Sequence, residues 1–126
     1  MVTIPEDYRD ILEKKSFVHL ATMMQDGSPQ VSPVWVEYNG DHIVVNSAKD
    51  RLKDRNMRAL SATDPDNPYR ALMIRGRITK ITEEGADDHI DSLAKKYLNK
   101  DKYPYRVADE VRVKYYIEPI KVATMG

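Results

Sequence analysis

Apolar positions recur along this chain with two different periods, and each change of period marks a new element. Thr3-Ile4-Pro5-Glu6 reads as a helix start, with Thr3 as cap, Glu6 three residues on and Pro5 in the first turn. Tyr8, Ile11 and Leu12 then share a helical face, and the helix should end near Lys15. Phe17 to Met23 is rich in β-branched and aromatic residues and predicts a strand. Asp26-Gly27 marks a turn. From Pro29 to Tyr38 the pattern alternates, with Gln30, Ser32, Val34 and Val36 against Val31, Pro33, Trp35 and Glu37. Pro33 cannot donate to a ladder, which places this strand at an edge or a bulge. Asn39-Gly40 is a strong hairpin signal. The return strand, His42 to Asn46, carries the compact apolar run Ile43-Val44-Val45.

Ser47-Ala48-Lys49-Asp50 has the spacing of a second capping box and predicts a helix to about Arg58. Ala59 to Thr63 reads as a short strand. Asp64-Pro65-Asp66-Asn67-Pro68 reads as a loop. Tyr69 to Thr82 is a long strand, and Gly76 within it signals a bulge or a close backbone approach. Between Glu83 and Leu98, Ala86, Ile90, Leu93, Ala94 and Tyr97 fall at helical spacing. Acids crowd the start of that helix and Lys95 and Lys96 its end, which complements the helix dipole. Lys100 to Asp109 is a polar loop with several tyrosines. Val111 to Val122 closes the chain as a strand interrupted at Pro119. Six strands joined by tight turns, with three short helices, predict one mainly β domain over residues 1–126, an antiparallel barrel with helical appendages.

Composition narrows the function classes. The 126 residues fit one domain, and 41% hydrophobic content supplies a modest core. Twenty basic residues balance twenty acidic ones, so no whole-protein charge draws the chain to nucleic acid or anionic lipid. There is no cysteine, which excludes disulfides and thiolate metal sites. No apolar run reaches the roughly 18 residues of a membrane span. Met1 to Tyr8 lacks the pattern of a signal peptide, so a soluble cytoplasmic protein is expected.

Two groups of residues could carry chemistry. In the helix expected after Ser47, Lys49, Lys53 and Asn56 fall on one face, and Arg51, Arg55 and Arg58 on the opposite one. Cations beside the open N–H groups of a helix start suit a phosphate. Charge runs on helices are commonplace, and on charge alone a solvated helix with internal ion pairs is the stronger reading. On the strand before it, Gln30 and Ser32 offer donors and acceptors to the edge of a heteroaromatic ring, and a plain polar stripe explains them equally well. His19, His42 and His89 lie in different elements without the partner spacing of a metal site. His19 is expected to be partly buried in its strand and His89 exposed on its helix. Asp87, Asp88 and Asp91 read as a solvated acidic face. No metal site, nucleophile elbow or phosphate loop is present.

Four stretches nonetheless occur together and in order. They are A-T-M-M-Q-D-G-S-P-Q-V-S-P-V-W-V, N-G-D-H-I-V-V-N-S-A-K-D-R-L-K-D-R-N-M-R, D-P-D-N-P-Y-R-A-L-M-I-R-G-R-I-T and E-E-G-A-D-D-H-I-D-S-L-A-K-K-Y. Over Asp10 to Val122 the chain resembles the pyridoxamine 5′-phosphate oxidase-like split β-barrel family, in its branch of reductases that use the deazaflavin coenzyme F420. The resemblance implies a six-stranded FMN-binding split barrel, a homodimer, and a cofactor in the groove between subunits. It implies that Gln30, Val31, Ser32, Pro33 and Val34 line the ring. It also implies that Asn46, Ser47, Arg51, Lys53 and Asn56 hold the phosphate or polar tail, with Lys49 and Arg55 beside them. Asn67 to Arg70 and Tyr103 to Arg106 would close the groove. One feature departs from the family pattern: Met57-Arg58 runs straight into Ala59-Leu60-Ser61, a shortened connection to the next strand.

The expected activity is hydride transfer from reduced F420 to a small conjugated organic acceptor. No residue stands out as a general acid, and solvent can supply the proton. The rival readings are an FMN-dependent enzyme on the same scaffold, a non-catalytic flavin carrier, haem binder or sensor, and a structural dimer with an empty groove. Five cations between Lys49 and Arg58 favour the longer, more anionic deazaflavin tail over FMN's single phosphate.

Overall fold

The computed structural model describes residues 2–23, 26–49 and 57–126, without the side chain of Met57. Its strands are β1 (Val18–Met23), β2 (Pro29–Val34), β3 (Val36–Tyr38), β4 (Ile43–Ala48), β5 (Met57–Asp64), β6 (Asn67–Thr82) and β7 (Arg112–Met125). They form one antiparallel sheet in the order β2-β1-β5-β6-β7-β4-β3. β2 and β3 are consecutive in sequence yet occupy the two opposite edges. Only Trp35 separates them, so the sheet must curl until its edges meet at that residue. This is a split barrel with seven strands rather than the expected six, because the long strand 29–38 breaks in two at Trp35.

Period-two alternation fills the barrel. Val18 and Leu20 of β1, Leu60 and Ala62 of β5, Leu72 and Ile74 of β6, and Val113, Tyr115 and Ile117 of β7 are all buried in one core. β4 is buried on both faces across Ile43, Val44 and Val45, because α2 (Ala86–Leu98) lies over β4 and β7. The expected hairpin turns form. Gly40 takes φ 101°, and Asn39 Oδ1 accepts the N–H groups of Asp41 and His42 at 2.9 and 2.7 Å. The expected loop at 64–68 is only the two-residue turn Pro65-Asp66, since Asp64 already pairs with Asn67.

Gly76 marks both a bulge and a close approach. The β6–β7 register shifts between Arg75 and Gly76, and a Cβ at Gly76 would stand 2.7 Å from Glu118 O and from Ile117 Cγ2. β7 runs on through Pro119, which sits at that irregularity opposite Gly76, so the strand is shifted there rather than interrupted.

The N-terminal helix is shorter than its pattern suggests. A single 3₁₀ turn, Glu6–Tyr8, precedes α1 (Asp10–Glu13), and no side chain caps either. Ile11 and Leu12 are buried in the core as their spacing predicts, and Tyr8 packs against it. No helix starts at Ser47, and the capping box expected there needs Asp50, which lies outside the described residues. Ser47 and Ala48 belong to β4 opposite Val113 and Arg112, and Lys49 N–H donates to Val111 O at 2.8 Å. Pairing with β7 takes the Lys49 N–H, one of the groups expected to stay open at a helix start. At the other end, Met57 and Arg58 already belong to β5. Any helix would be confined to residues 50–56, which lie outside the described residues, and so would Arg51, Lys53, Arg55 and Asn56.

Candidate functional site

Where the sheet edges meet, a cleft of about 440 Å³ opens between β2, the start of β3, the end of β4 and α2. Pockets that hold small molecules commonly occupy roughly 300–1,000 Å³. One wall is aromatic. Trp35 stacks on Tyr97 of α2 at 5.1 Å between centroids and 6° between planes. Tyr103 stands edge-on to Trp35 at 6.0 Å, and Tyr105 edge-on to Tyr103 at 5.7 Å. Phe17, 61% exposed, completes the wall. Tyr97 holds this stack in place: its hydroxyl donates to Ser16 O at 2.8 Å and accepts Val36 N–H at 3.2 Å. Burial pushes the Tyr97 hydroxyl pKa up, so it stays a neutral donor.

The facing strip is polar. Thr22, Gln30, Ser32, Asn46 and Ser47 line it, with Pro33 and Val34 between. Gln30 and Ser32 pair with Thr22 and Leu20 of β1, and among the described residues no strand pairs with β2 on its other side, which leaves an edge of the sheet at the cleft.

A buried network fixes the floor. Asn46 Nδ2 donates to Ala86 O at 2.8 Å and lies 3.1 Å from His89 Nδ1, while its Oδ1 accepts Arg112 Nε at 2.9 Å. Asn46 is the donor in that pair, so Nδ1 of His89 is an acceptor and its proton sits on Nε2. Nε2 lies 3.2 Å from Glu37 Oε1, off the line of a full hydrogen bond. Burial lowers the His89 pKa; Glu37 opposes that shift, and Lys114 and Arg112 reinforce it. His89 is therefore a neutral imidazole that orients Asn46. Arg112 in turn donates from Nη1 to Glu110 Oε1 at 2.7 Å, and its guanidinium lies 5.3 Å from the Tyr103 ring centre.

The loop that carries the tyrosines is anchored to α2 by Asp91. Asp91 accepts Tyr103 N–H and Arg106 Nη2, each at 2.8 Å. Burial raises its pKa, but the Tyr103 N–H, Arg106 and Lys102 outweigh that and hold the carboxyl below its usual range.

The sequence model of the pyridoxamine 5′-phosphate oxidase family matches residues 4–124. The chain belongs to that family. No curated protein matches it. Among solved structures, an F420 reductase is 29% identical, with 95% of this chain and 98% of that one covered and a TM-score of 0.83. A conserved hypothetical protein from Mycobacterium tuberculosis is 17% identical, with 99% and 86% covered and a TM-score of 0.73. An FAD and haem binding protein from Mycobacterium smegmatis is 14% identical, with 98% and 71% covered and a TM-score of 0.69. The last two establish shared fold alone.

On this family scaffold, Gln30, Ser32, Pro33, Val34, Asn46 and Ser47 come together in the one cleft. Val31 does not: the pleat turns its side chain to the other face of β2, where it is 62% exposed and lines a second hollow. Lys49 is exposed and pairs with Glu83 at 3.3 Å. Tyr103 and Tyr105 line the cleft within the same chain. Arg70 and its neighbours do not line it.

The expectations for three polar residues are corrected. His19 is exposed, because it alternates with buried Val18 and Leu20. His89 is buried on the inner face of α2. Asp91 is tied into the loop anchor rather than solvated. Phe17, Thr22, Trp35 and Arg112 line the cleft without having been singled out by sequence. Trp35 had a signal, as the lone tryptophan beside the proline-marked edge strand. Arg112 had none, because its partner Asn46 is 66 residues away. Among the described residues, no helix is long and apolar enough to cross a membrane.

Proposed function

We propose that this protein is an oxidoreductase that holds the deazaflavin coenzyme F420 in this cleft and passes a hydride to a small conjugated organic acceptor. The observation that carries the reading is the cleft's two-sided build, an aromatic wall facing an amide and hydroxyl strip, on a chain so similar in length and fold to an F420 reductase. A flat ring with a heteroatom edge needs both sides. The arrangement fits such a ring: Gln30 and Ser32 sit on an edge strand at the cleft, and the rings of Trp35 and Tyr103 stand opposite.

When bound, the deazaflavin supplies two-electron hydride chemistry. The chain's own part is to bind and orient. Gln30, Ser32 and the outer backbone of β2 fix the ring edge. Trp35 and Tyr103 exclude water from one side. Asn46 and Ser47 begin the polar path toward the tail, and Arg51, Lys53 and Asn56, which lie outside the described residues, are the proposed tail-binding group. Val31, exposed Met73, Ala59 and Ala123 line the second hollow, about 420 Å³, on the outer sheet face. That face is the proposed contact between two copies of the chain in a cytoplasmic homodimer, with the tail reaching into the groove between them.

Parallel titrations with F420 and FMN test the assignment, followed by an assay of reduced F420 oxidation by quinone-type acceptors. F420 should bind more tightly than FMN, and Lys53→Ala should weaken F420 by about ten-fold or more, the scale of one charge-assisted bond. Tighter FMN binding would move the assignment to an FMN-dependent enzyme. Binding without turnover would make the protein a carrier, and binding of neither would sink the reading.

A further inference from the structure

Arg112 has more donors than the described residues use. A guanidinium offers five N–H donors. Nε is bonded to Asn46 and Nη1 to Glu110, while Nη2 has no hydrogen bond among the described residues. The side chain is only 6% exposed and lines the cleft. Nη2 is not among the buried unpartnered atoms, so it reaches the cleft that Arg112 lines, where an acceptor atom on a ligand can take the place of water. The ring of Tyr103 lies against the guanidinium and edge-on to Trp35, so an atom bonded to Arg112 would belong to a flat body resting on that wall.

The charge of the site selects the acceptor atom. Glu110, 12% exposed, already compensates Arg112 at 2.7 Å. His89, on the far side of Asn46, is neutral. Arg112 therefore presents donors with little net positive charge. A carboxylate entering here would gain the Arg112 bonds but meet the Glu110 charge in a poorly solvated place, where like charges repel strongly. An uncharged carbonyl oxygen gains the same bonds without that repulsion.

We propose that Arg112 anchors an uncharged carbonyl oxygen of a flat conjugated ring, and that Glu110 is the specificity-determining residue that excludes carboxylates. The inference deepens the oxidoreductase reading and rests on it only for which ring supplies the oxygen, the acceptor's or the deazaflavin's. Arg112 lines the cleft and is available to either ring, and Glu110 acts there through its ion pair with Arg112.

The chain's single tryptophan, Trp35, lies in this cleft and reports occupancy by its fluorescence. The probes are naphthoquinone, naphthoate and F420, each titrated into the wild-type protein, Arg112→Met, Arg112→Lys and Glu110→Gln, with far-ultraviolet circular dichroism as the fold control. Wild type should bind naphthoquinone about ten-fold more tightly than naphthoate. Arg112→Met should weaken naphthoquinone binding about ten-fold and leave naphthoate excluded, because Glu110 then stands uncompensated. Glu110→Gln should reverse the wild-type preference by admitting naphthoate, and that outcome requires an intact Arg112. If Arg112→Met fails to fold, Arg112→Lys and Glu110→Gln carry the test.

Loss confined to naphthoquinone assigns the oxygen to the acceptor, and a parallel loss for F420 assigns it to the cofactor ring. Equal affinity of Arg112→Met, or of Arg112→Lys where that variant carries the test, for naphthoquinone and F420 relative to wild type would overturn the proposal. So would a Glu110→Gln protein that still rejects naphthoate. Failure of wild type to bind F420 would strike the oxidoreductase reading instead and leave the naphthoquinone arm intact.

Discussion

Arg70 and Arg112 are both largely buried arginines beside carboxylates, and they differ in what is left over. Arg70 lies on β6 and grips the N-terminal segment. It bonds both oxygens of Asp10 at 2.9 and 2.8 Å, Asp64 at 2.9 Å and the carbonyl of Asp7, with its guanidinium 4.8 Å from the Tyr8 ring centre. Both terminal nitrogens of that guanidinium are taken up by the protein. Arg112 uses one nitrogen for an amide and one for a carboxylate, and keeps the third for the cleft. Saturated donors hold a structure together. Unsaturated donors in a cavity are available for recognition.

Removing each arginine should break the comparison in opposite ways. Arg70→Ala should produce the largest loss of stability, a fall in Tm of several degrees, because it strips partners from Asp10 and Asp64 together and releases the N-terminal segment. Its affinity for naphthoquinone, read from Trp35, should match wild type. Arg112→Met should do the reverse. A cleft affinity that falls as much in Arg70→Ala as in Arg112→Met would erase the distinction.

Acid titration sharpens the contrast. The Asp66 N–H, Lys14 and Arg70 hold Asp64 down at about 2 against burial, from an ordinary 3.8. The unfolded chain thus takes up a proton before the folded one. The stabilisation is complete above the unfolded value and is lost as pH falls through the folded one. Thermal melts from about pH 5 to about pH 2 should show this limb in wild type, flattened in Asp64→Asn.

The cleft side responds at a higher pH. Burial lowers the His89 pKa below 6.5, so the unfolded state again protonates first. Stability should be full above 6.5 and decline as pH falls below it, since the protonated ring cannot accept from Asn46. His89→Gln should remove that decline, checked by melts on either side of the ordinary histidine pKa.

Lys96 responds at the alkaline end. Its ammonium donates to Leu12 O and, at 2.8 Å, to Val36 O, joining α2 to α1 and β3. Burial pulls its pKa from 10.5 to about 8, with Glu37 and Glu13 opposing. Between these values the unfolded chain holds a proton the folded one has released, so stability should rise slightly with pH. Lys96→Met should show no such slope across the same range.

These contrasts also explain what could be read from sequence. Local patterns were legible: the β6 strand, the Asn39-Gly40 hairpin, the α2 core stripe and the edge position of the Pro33 strand. The spacing of α2 also marked His89, three residues after Ala86 and four before Leu93, although a polar side chain argued for exposure. What local pattern could not supply was pairing. Ser47 has the spacing of a helix cap, but β7 offers its ladder to that segment and takes the Lys49 N–H first. The break at Trp35 follows from closure of the barrel, which no ten-residue window contains. Family resemblance pointed to the strand half of the cleft, Gln30, Ser32, Pro33 and Val34 with Asn46 and Ser47, and wrongly added Val31. The aromatic wall and Arg112 depended on contacts between α2, β7 and the tyrosine loop that only the fold creates.

The most direct test of the central claim is a titration of F420 against Trp35 fluorescence at neutral pH, with FMN in parallel. F420 should quench Trp35 saturably with one site per chain, at lower concentration than FMN requires. A folded protein whose Trp35 emission responds to neither cofactor would contradict it.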